Sequence, residues 1–208
     1  GNTESGIELL RGQLGYRVVN NTVYQAVGDG VLLQSGAHDV QLTNNILWVN
    51  SGGAVNVAGD SQVGFRSDYN LFYLTGAGRV AVWDGRAYTS RVDWAYELGQ
   101  DQHSVVANPL FVDPDGADNL LGYTGGVDHG LDDNFHLQAG SLAVDRGDPL
   151  SYALAEPWPN GGRADLGAYG NTVQANASPG QEVQVLSPNG LEKFEVGGGA
   201  TIRWRAAG

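Results

Sequence analysis

Asp60, Arg66 and Asp68 stand within one short stretch of the chain and together hold the parts of two kinds of sugar chemistry. Glycoside hydrolysis needs two carboxyl groups about 5–10 Å apart across the scissile bond. Lyase chemistry needs a base beside the sugar's acidic carbon and a cation to hold the carboxylate. Asp60 and Asp68 are the candidate carboxyls, with Asp84 and Asp101 on loops nearby, and Arg66 is the candidate base or cation. The only lysine, Lys193, lies far along the chain, which weighs against a lysine-based lyase site. His38 follows Gly36-Ala37 and reads as a turn residue.

Arg66 also belongs to a second pattern. Arg17, Gln41 and Arg66 each stand four residues before an asparagine that recurs along the chain. On stacked strands they form one rail whose two guanidiniums can fork onto uronate or sulfate groups, or remain as ordinary solvated charges. Glu8, Leu32 and Asn56 form another rail, too mixed to suggest a catalytic groove. Trp83 is a candidate sugar-stacking platform; for Trp48 and Tyr73 the columnar repeat favours packing. Asp113, Asp115 and Asp118 offer oxygen ligands for Ca²⁺, although the order lacks the later Glu of an EF-hand and also suits a solvated acidic turn. His103 between Asp101 and Ser104 invites a triad, but sequence neighbours seldom point at one another.

The elements that must position these groups repeat on a fixed clock. Asn20-Asn21-Thr22-Val23-Tyr24 returns as Asn44-Asn45-Ile46-Leu47-Trp48 and as Tyr69-Asn70-Leu71-Phe72-Tyr73. Tyr16, Val40 and Phe65 precede the asparagines by the same interval. Ile7 and Leu9, Val31 and Leu33, and Val55 and Val57 alternate with neighbours of the opposite face, the signature of extended chain. A period in this range marks a solenoid whose units cannot bury an apolar face alone. Coils lie about 4.8 Å apart, so Asn21, Asn45 and Asn70 form an interior ladder in which each amide bonds the next. The spacing predicts a parallel β-helix, with corners at Gly12, Gly15, Gly28-Asp29-Gly30, Ser35-Gly36 and Ser51-Gly52-Gly53 and a break in the repeat after Tyr73. Ser90 caps a short helix that follows.

The 32 glycines among 208 residues suit a fold with several tight corners per coil. No apolar run approaches a membrane span. Without cysteine there is neither a disulfide nor a thiolate metal site. The net charge of −12 argues against nucleic acid, which is bound through basic patches, and more weakly against polyanionic glycans unless a local basic strip overrides the average. The absence of Met marks Gly1 as a processing product or boundary, and nothing before the first coil resembles a cap. The expectation is therefore a cut N-terminal face, covered by further coils or another chain.

Several segments taken in order carry a resemblance. Ser67-Asp68-Tyr69-Asn70-Leu71-Phe72-Tyr73, Trp94, Gly99-Gln100-Asp101-Gln102-His103-Ser104 and Pro109-Leu110-Phe111-Val112-Asp113-Pro114 are similar to the closing section of bacterial right-handed parallel β-helix proteins of the pectate-lyase-like kind. Phe135-His136-Leu137, Gly140-Ser141, Ala143-Val144-Asp145-Arg146-Gly147 and Arg163-Ala164-Asp165-Leu166-Gly167-Ala168-Tyr169 resemble their terminal choice-of-anchor-Q segment, with Leu142 where that pattern usually has Pro. The resemblance covers roughly residues 5–171. It implies a right-handed coil and an extracellular setting, often among carbohydrate-active enzymes. It places Asp101-Gln102-His103-Ser104 in a loop-fixing network and makes Asp145 and Asp165 carboxylates that hold the cap through backbone bonds. Val183 to Gly190 and Ala200 to Trp204 resemble the opening of an immunoglobulin-like domain.

The expected organisation is all-β: a parallel β-helix with a loop-rich C-terminal cap over 1–173, a linker over 174–181, and a partial β-sandwich over 182–208. Three functions are compatible with it. One is a secreted or cell-surface, bacterial, glycan-associated β-helix protein, this chain being the non-catalytic C-terminal part of a carbohydrate-active protein. Another is a polysaccharide hydrolase or lyase acting through Asp60, Arg66 and Asp68. The last is a structural or adhesive spacer.

Overall fold

Short alternating segments bounded by Asn-Asn, Asp-Gly and Ser-Gly turns form strands. The computed structural model, which describes residues 4–11 and 15–207, winds them into a β-solenoid of about 3 turns. Gly12, read as a corner, and the first residues of the chain lie outside the described part. In chain order the elements are β1 (Ser5–Leu9), β2 (Arg17–Val19), β3 (Thr22–Gln25), β4 (Asp29–Leu33), β5 (Gln41–Thr43) and β6 (Ile46–Val57). After a 3₁₀ turn (Gly59–Ser61) come β7 (Arg66–Asp68), β8 (Leu71–Trp83), β9 (Arg86–Tyr88), α1 (Arg91–Leu98) and β10 (Val105–Val106). The remainder holds β11 (Phe111–Asp113), β12 (Tyr123–Thr124), β13 (Val127–Asp128), β14 (Asn134–Leu137), β15 (Glu182–Ser187) and β16 (Arg203–Ala207). Among the described residues no helix is long and apolar enough to cross a membrane.

Successive turns pair in parallel. A long sheet runs β1-β4-β6-β8-β10, with β3 also on β6 and β9 on β8, and a short sheet runs β2-β5-β7. Register puts like residues over one another. Ile7, Val31, Val55 and Ala81 form one column, and Val23, Leu47 and Phe72 another. Val31, Val55, Leu47, Phe72 and Ala81 are fully buried. Each large side chain in these columns contributes roughly 1.5–3 kcal/mol by leaving water, which no single coil could obtain by itself.

The asparagine pairs divide one corner between them. The first residue of each pair turns the chain in the left-handed region: Asn20 at φ 56°, Asn44 at 61° and, in the third coil, Tyr69 at 56°. Asparagine tolerates that conformation because its short amide bonds locally. The second residue enters the interior and bonds across coils.

Three expectations take a more definite form. The repeat does not end at Tyr73. β8 continues to Trp83, and β10 pairs in parallel with Leu71 and Phe72, so Ser104 occupies the position of the next asparagine. The step there is 34 residues instead of 24 or 25, because the β8–β9 hairpin and α1 are inserted. The corner at Ser51-Gly52-Gly53 is made without ending the strand, as a bend within β6 with Gly52 at φ 92° and a register shift beside it. Trp83, the candidate platform, is partly buried. It continues the inward column of Leu9, Leu33 and Val57 and packs against Phe65 and Trp94 at 5.8 and 5.6 Å between ring centroids. The helix forms as its sequence predicts: Ser90 Oγ accepts the Asp93 N–H at 3.3 Å, and Gly99 ends it at φ 71°.

Beyond β10 the chain folds back over the coils as a cap. Tyr24, Trp48 and Tyr73 pack in a tilted column at 4.6 and 5.0 Å between centroids, and Trp48 meets Phe111 of the cap at 6.3 Å. Around them Ile46 and Leu71 from the coils join Phe111, Leu137, Ala143, Val144 and Leu166 in a second core. Residues 174–181 dock on this cap: Asn176 N–H donates to Asp165 and Ser178 N–H to the Pro159 carbonyl. β15 and β16 form an antiparallel hairpin.

Candidate functional site

The ladder sets the frame for the outer face. Asn21 donates to Asn45 Oδ1 (3.1 Å), Asn45 to Asn70 Oδ1 (3.0 Å) and Asn70 to Asp101 Oδ1 (3.1 Å). Backbone N–H groups of Asn21 and Asn45 donate to the same amide oxygens at 2.9 Å. The fully buried Asp101 ends the row. It accepts from Ser67, Asn70 and Ser104 through Oδ1 and from Trp94 Nε1 at 2.8 Å through Oδ2. Burial pushes its pKa up, while these four donors oppose the shift.

With the corner held, the short sheet presents Arg17, Gln41 and Arg66 in strict register on its outer face. Two adjoining cavities of about 500 and 460 Å³ lie along it and share Gln41, Thr43, Asp148 and Leu150, which makes one continuous groove. Arg66 lies at one end and Arg17 at the other, two strand spacings or about 10 Å apart. Both are exposed, and among the described residues neither side chain has a hydrogen-bond or ion-pair partner. The facing wall is the cap loop from Asp148 to Tyr152, where Leu150 and Tyr152 are 90% and 76% exposed. Asn44, the left-handed corner residue, holds that wall. Its Oδ1 accepts the Asp148 N–H at 2.8 Å and its Nδ2 donates to Ser151 Oγ at 3.0 Å.

Asp68 reaches the groove but is already engaged. Oδ1 accepts the backbone N–H groups of Tyr69 (2.9 Å) and His103 (2.7 Å), and Oδ2 pairs with His103 Nδ1 at 2.7 Å. That hydrogen bond raises the His103 pKa against the opposing effect of burial. The imidazole stacks on Tyr69 at 4.8 Å, and its other nitrogen lies 3.7 Å from Glu192. Tyr69 is pushed up to about 12, first by burial and then by the Asp68 charge. Arg163 lies over the Tyr69 ring, 5.6 Å from its centroid, and donates to the Gly147 carbonyl at 2.7 Å. His103 therefore belongs to a network with Asp68, Tyr69 and Glu192, not to a triad with its sequence neighbours.

The remaining sequence candidates are dispersed. Asp60 lies exposed on the 3₁₀ turn, where it accepts from Ser61 Oγ at 2.9 Å, and it does not line the groove. Of the two candidate carboxyls, Asp68 alone lines the groove. Trp83 is partly buried against the core, as described above. Asp113, Asp115 and Asp118 do not converge either: Asp118 turns onto His129 Nδ1 at 2.6 Å and the Leu120 N–H at 2.9 Å. Among the described residues the carboxylates that do converge are Asp145, Glu156 and Asp165, all buried, with one oxygen of each within 4.8 Å of the others. Burial pushes Asp165 up to about 7.

Sequence reasoning missed the groove wall and Glu156. The Asn-Asn pairs carried a signal for the wall, since the first asparagine has amide groups that the ladder does not use. Glu156, in Leu154-Ala155-Glu156-Pro157, carried none. No protein-family model matches the chain, and neither curated proteins nor solved structures show a match to it.

Proposed function

We propose that the groove over β2, β5 and β7 binds an extended glycan, and that the protein is a secreted or cell-surface, glycan-associated solenoid of bacterial origin. The observation that carries this reading is the pair of unpaired guanidiniums in register at the two ends of one polar groove. An elongated acidic chain lying along the sheet can satisfy both through forked, charge-assisted hydrogen bonds. Exposed Tyr152 and Leu150 supply apolar surface for sugar faces on the opposite wall. The sequence likeness to the closing section of pectate-lyase-like β-helix proteins, with their choice-of-anchor-Q segment, points the same way.

Isothermal titration with oligogalacturonate, a sulfated oligosaccharide and a neutral xylo-oligosaccharide tests it. Each hydrogen bond to a charged group is worth about 1.5–3 kcal/mol, so Arg17→Ala and Arg66→Ala should each weaken acidic-glycan binding by tenfold or more. Unchanged affinity in the double variant would refute the groove as the binding surface. A catalytic reading is favoured by one observation, the Asp68–His103 pair at the groove margin. It requires turnover of pectin, alginate or xylan that disappears in Asp68→Ala with the fold intact.

A further inference from the structure

We propose that Asp145, Glu156 and Asp165, with Gln184 from β15, form a divalent-cation site of the calcium class that clamps the cap to the C-terminal hairpin. The three carboxylates come from separate cap loops, are 1%, 6% and 1% exposed, and bring oxygens within 4.8 Å of one another. Their existing donors leave part of that oxygen set unused. Asp165 accepts one backbone N–H on each oxygen, from Asp145 at 2.9 Å and Asn176 at 2.8 Å. Glu156 Oε1 accepts two, from Asp165 at 2.8 Å and Asn171 at 2.6 Å. Glu156 Oε2 and Asp145 Oδ1 are buried with no hydrogen-bond partner.

Gln184 is an independent pointer, because it comes from a different element and is not acidic. It is 5% exposed, and its Nε2 donates to the Asp145 carbonyl at 2.9 Å, which holds the amide beside the cluster. Its Oε1 is buried and has no donor either. A buried amide oxygen with no donor, on a side chain bonded to Asp145, adds a neutral oxygen ligand to the undonated carboxylate oxygens of Glu156 and Asp145.

Charge supports the same conclusion. Arg205 is the cation in contact, 3.2 Å from Asp145 Oδ2, but it also pairs with Glu182 at 2.7 Å. Gly161 closes over this guanidinium, since a Cβ there would lie 2.4 Å from both terminal nitrogens. This guanidinium pairs with Asp145 and Glu182, and among the described residues Glu156 and Asp165 have no ion-pair partner, so carboxylates buried there without compensation are costly to charge. The donors are all oxygens, three from carboxylates and one from an amide, with no imidazole or thiolate. That set suits Ca²⁺, which accepts irregular oxygen cages completed by water, over the zinc class.

The test is titration of chelator-treated whole chain with CaCl₂, followed by calorimetry and thermal melting, with MgCl₂ in parallel. One Ca²⁺ per chain is expected, with a melting midpoint several degrees above that of the chelated protein. Glu156→Gln and Asp165→Asn should lose at least tenfold in Ca²⁺ affinity, and Gln184→Ala several-fold. Gln184→Ala keeps all three carboxylates and carries the test if the acidic variants fail to fold. Replacing Asp113, Asp115 and Asp118 together by Asn should leave binding unchanged. Absence of saturable Ca²⁺ binding to the parent would overturn the proposal. So would binding that survives in Gln184→Ala and Glu156→Gln but is lost in the Asp113/Asp115/Asp118 variant.

Discussion

Replacing Asn45 by Leu removes the middle rung of the ladder while nearly conserving side-chain volume, so its cost reports hydrogen bonding more than cavity formation. Asn45 is fully buried. Its Nδ2 donates to the carbonyls of Val18 (2.8 Å) and Thr43 (3.1 Å) and to Asn70 Oδ1, and its Oδ1 accepts from the backbone and side chain of Asn21. Some partners have another bond to fall back on: Thr43 O also accepts the Asn20 N–H, Asn70 Oδ1 the Asn45 N–H, and Asn21 Nδ2 donates to Val19 O. The Asn21 N–H loses its Asn45 partner outright. Orphaning this half-buried donor costs about 1–3 kcal/mol, and the weakened remainder adds on the order of 1 kcal/mol. The total is roughly 2–4 kcal/mol. At about 2–4 °C per kcal/mol for a chain of this size, the melting midpoint should fall by roughly 4–16 °C. Differential scanning calorimetry of Asn45→Leu beside Asn50→Ala, an exposed asparagine of the same strand, checks it. The control should shift by less than about 1 kcal/mol. If Asn45→Leu melts with the parent, the ladder does not hold the coils together.

Asp101 meets only donors, so Asp101→Asn places an NH₂ against one of them, and a loss of roughly 2–4 kcal/mol should appear in urea unfolding. The His103 pKa is raised in the folded state, mainly by Asp68. Its stabilising contribution is therefore fully present below the unfolded histidine value of about 6.5 and is lost as pH rises through the higher folded value. Unfolding free energy measured across that range should decline with rising pH in the parent relative to His103→Gln; parallel curves would remove the Asp68–His103 pair as a stabilising contact. The glycan-binding losses in Arg17→Ala and Arg66→Ala should shrink as salt is raised, since exposed charges are screened within about 8–10 Å at 0.1–0.15 M.

The coil was legible in the string because a solenoid places like residues on like neighbours. The interval between Asn21, Asn45 and Asn70 and the alternation of Val31-Leu33 and Val55-Val57 are at once local patterns and statements about stacking. The same reasoning failed at the last coil for a physical reason. Asp101 and Ser104 perform together what one asparagine does above them, and an inserted hairpin and helix change the interval. Register depends on which backbone groups pair, and a different residue type can fill the same rung.

The rail of Arg17, Gln41 and Arg66 was a consequence of period alone, so sequence determined the groove floor. The wall was decided only in three dimensions, because Asp148 to Tyr152 lie more than a hundred positions from the Asn44 amide that holds them. Likewise Trp83 looked available as a lone aromatic, and only the winding of β8 turned it inward. The convergence of Asp145, Glu156, Asp165 and Gln184 has no sequence period, since the loops of the cap return to one point through packing on the second core. Sequence thus set what each coil repeats, through the two-residue alternation of strands and the left-handed tolerance of asparagine. Tertiary structure decided which non-repeating side chains meet, because long-range burial obeys no local spacing.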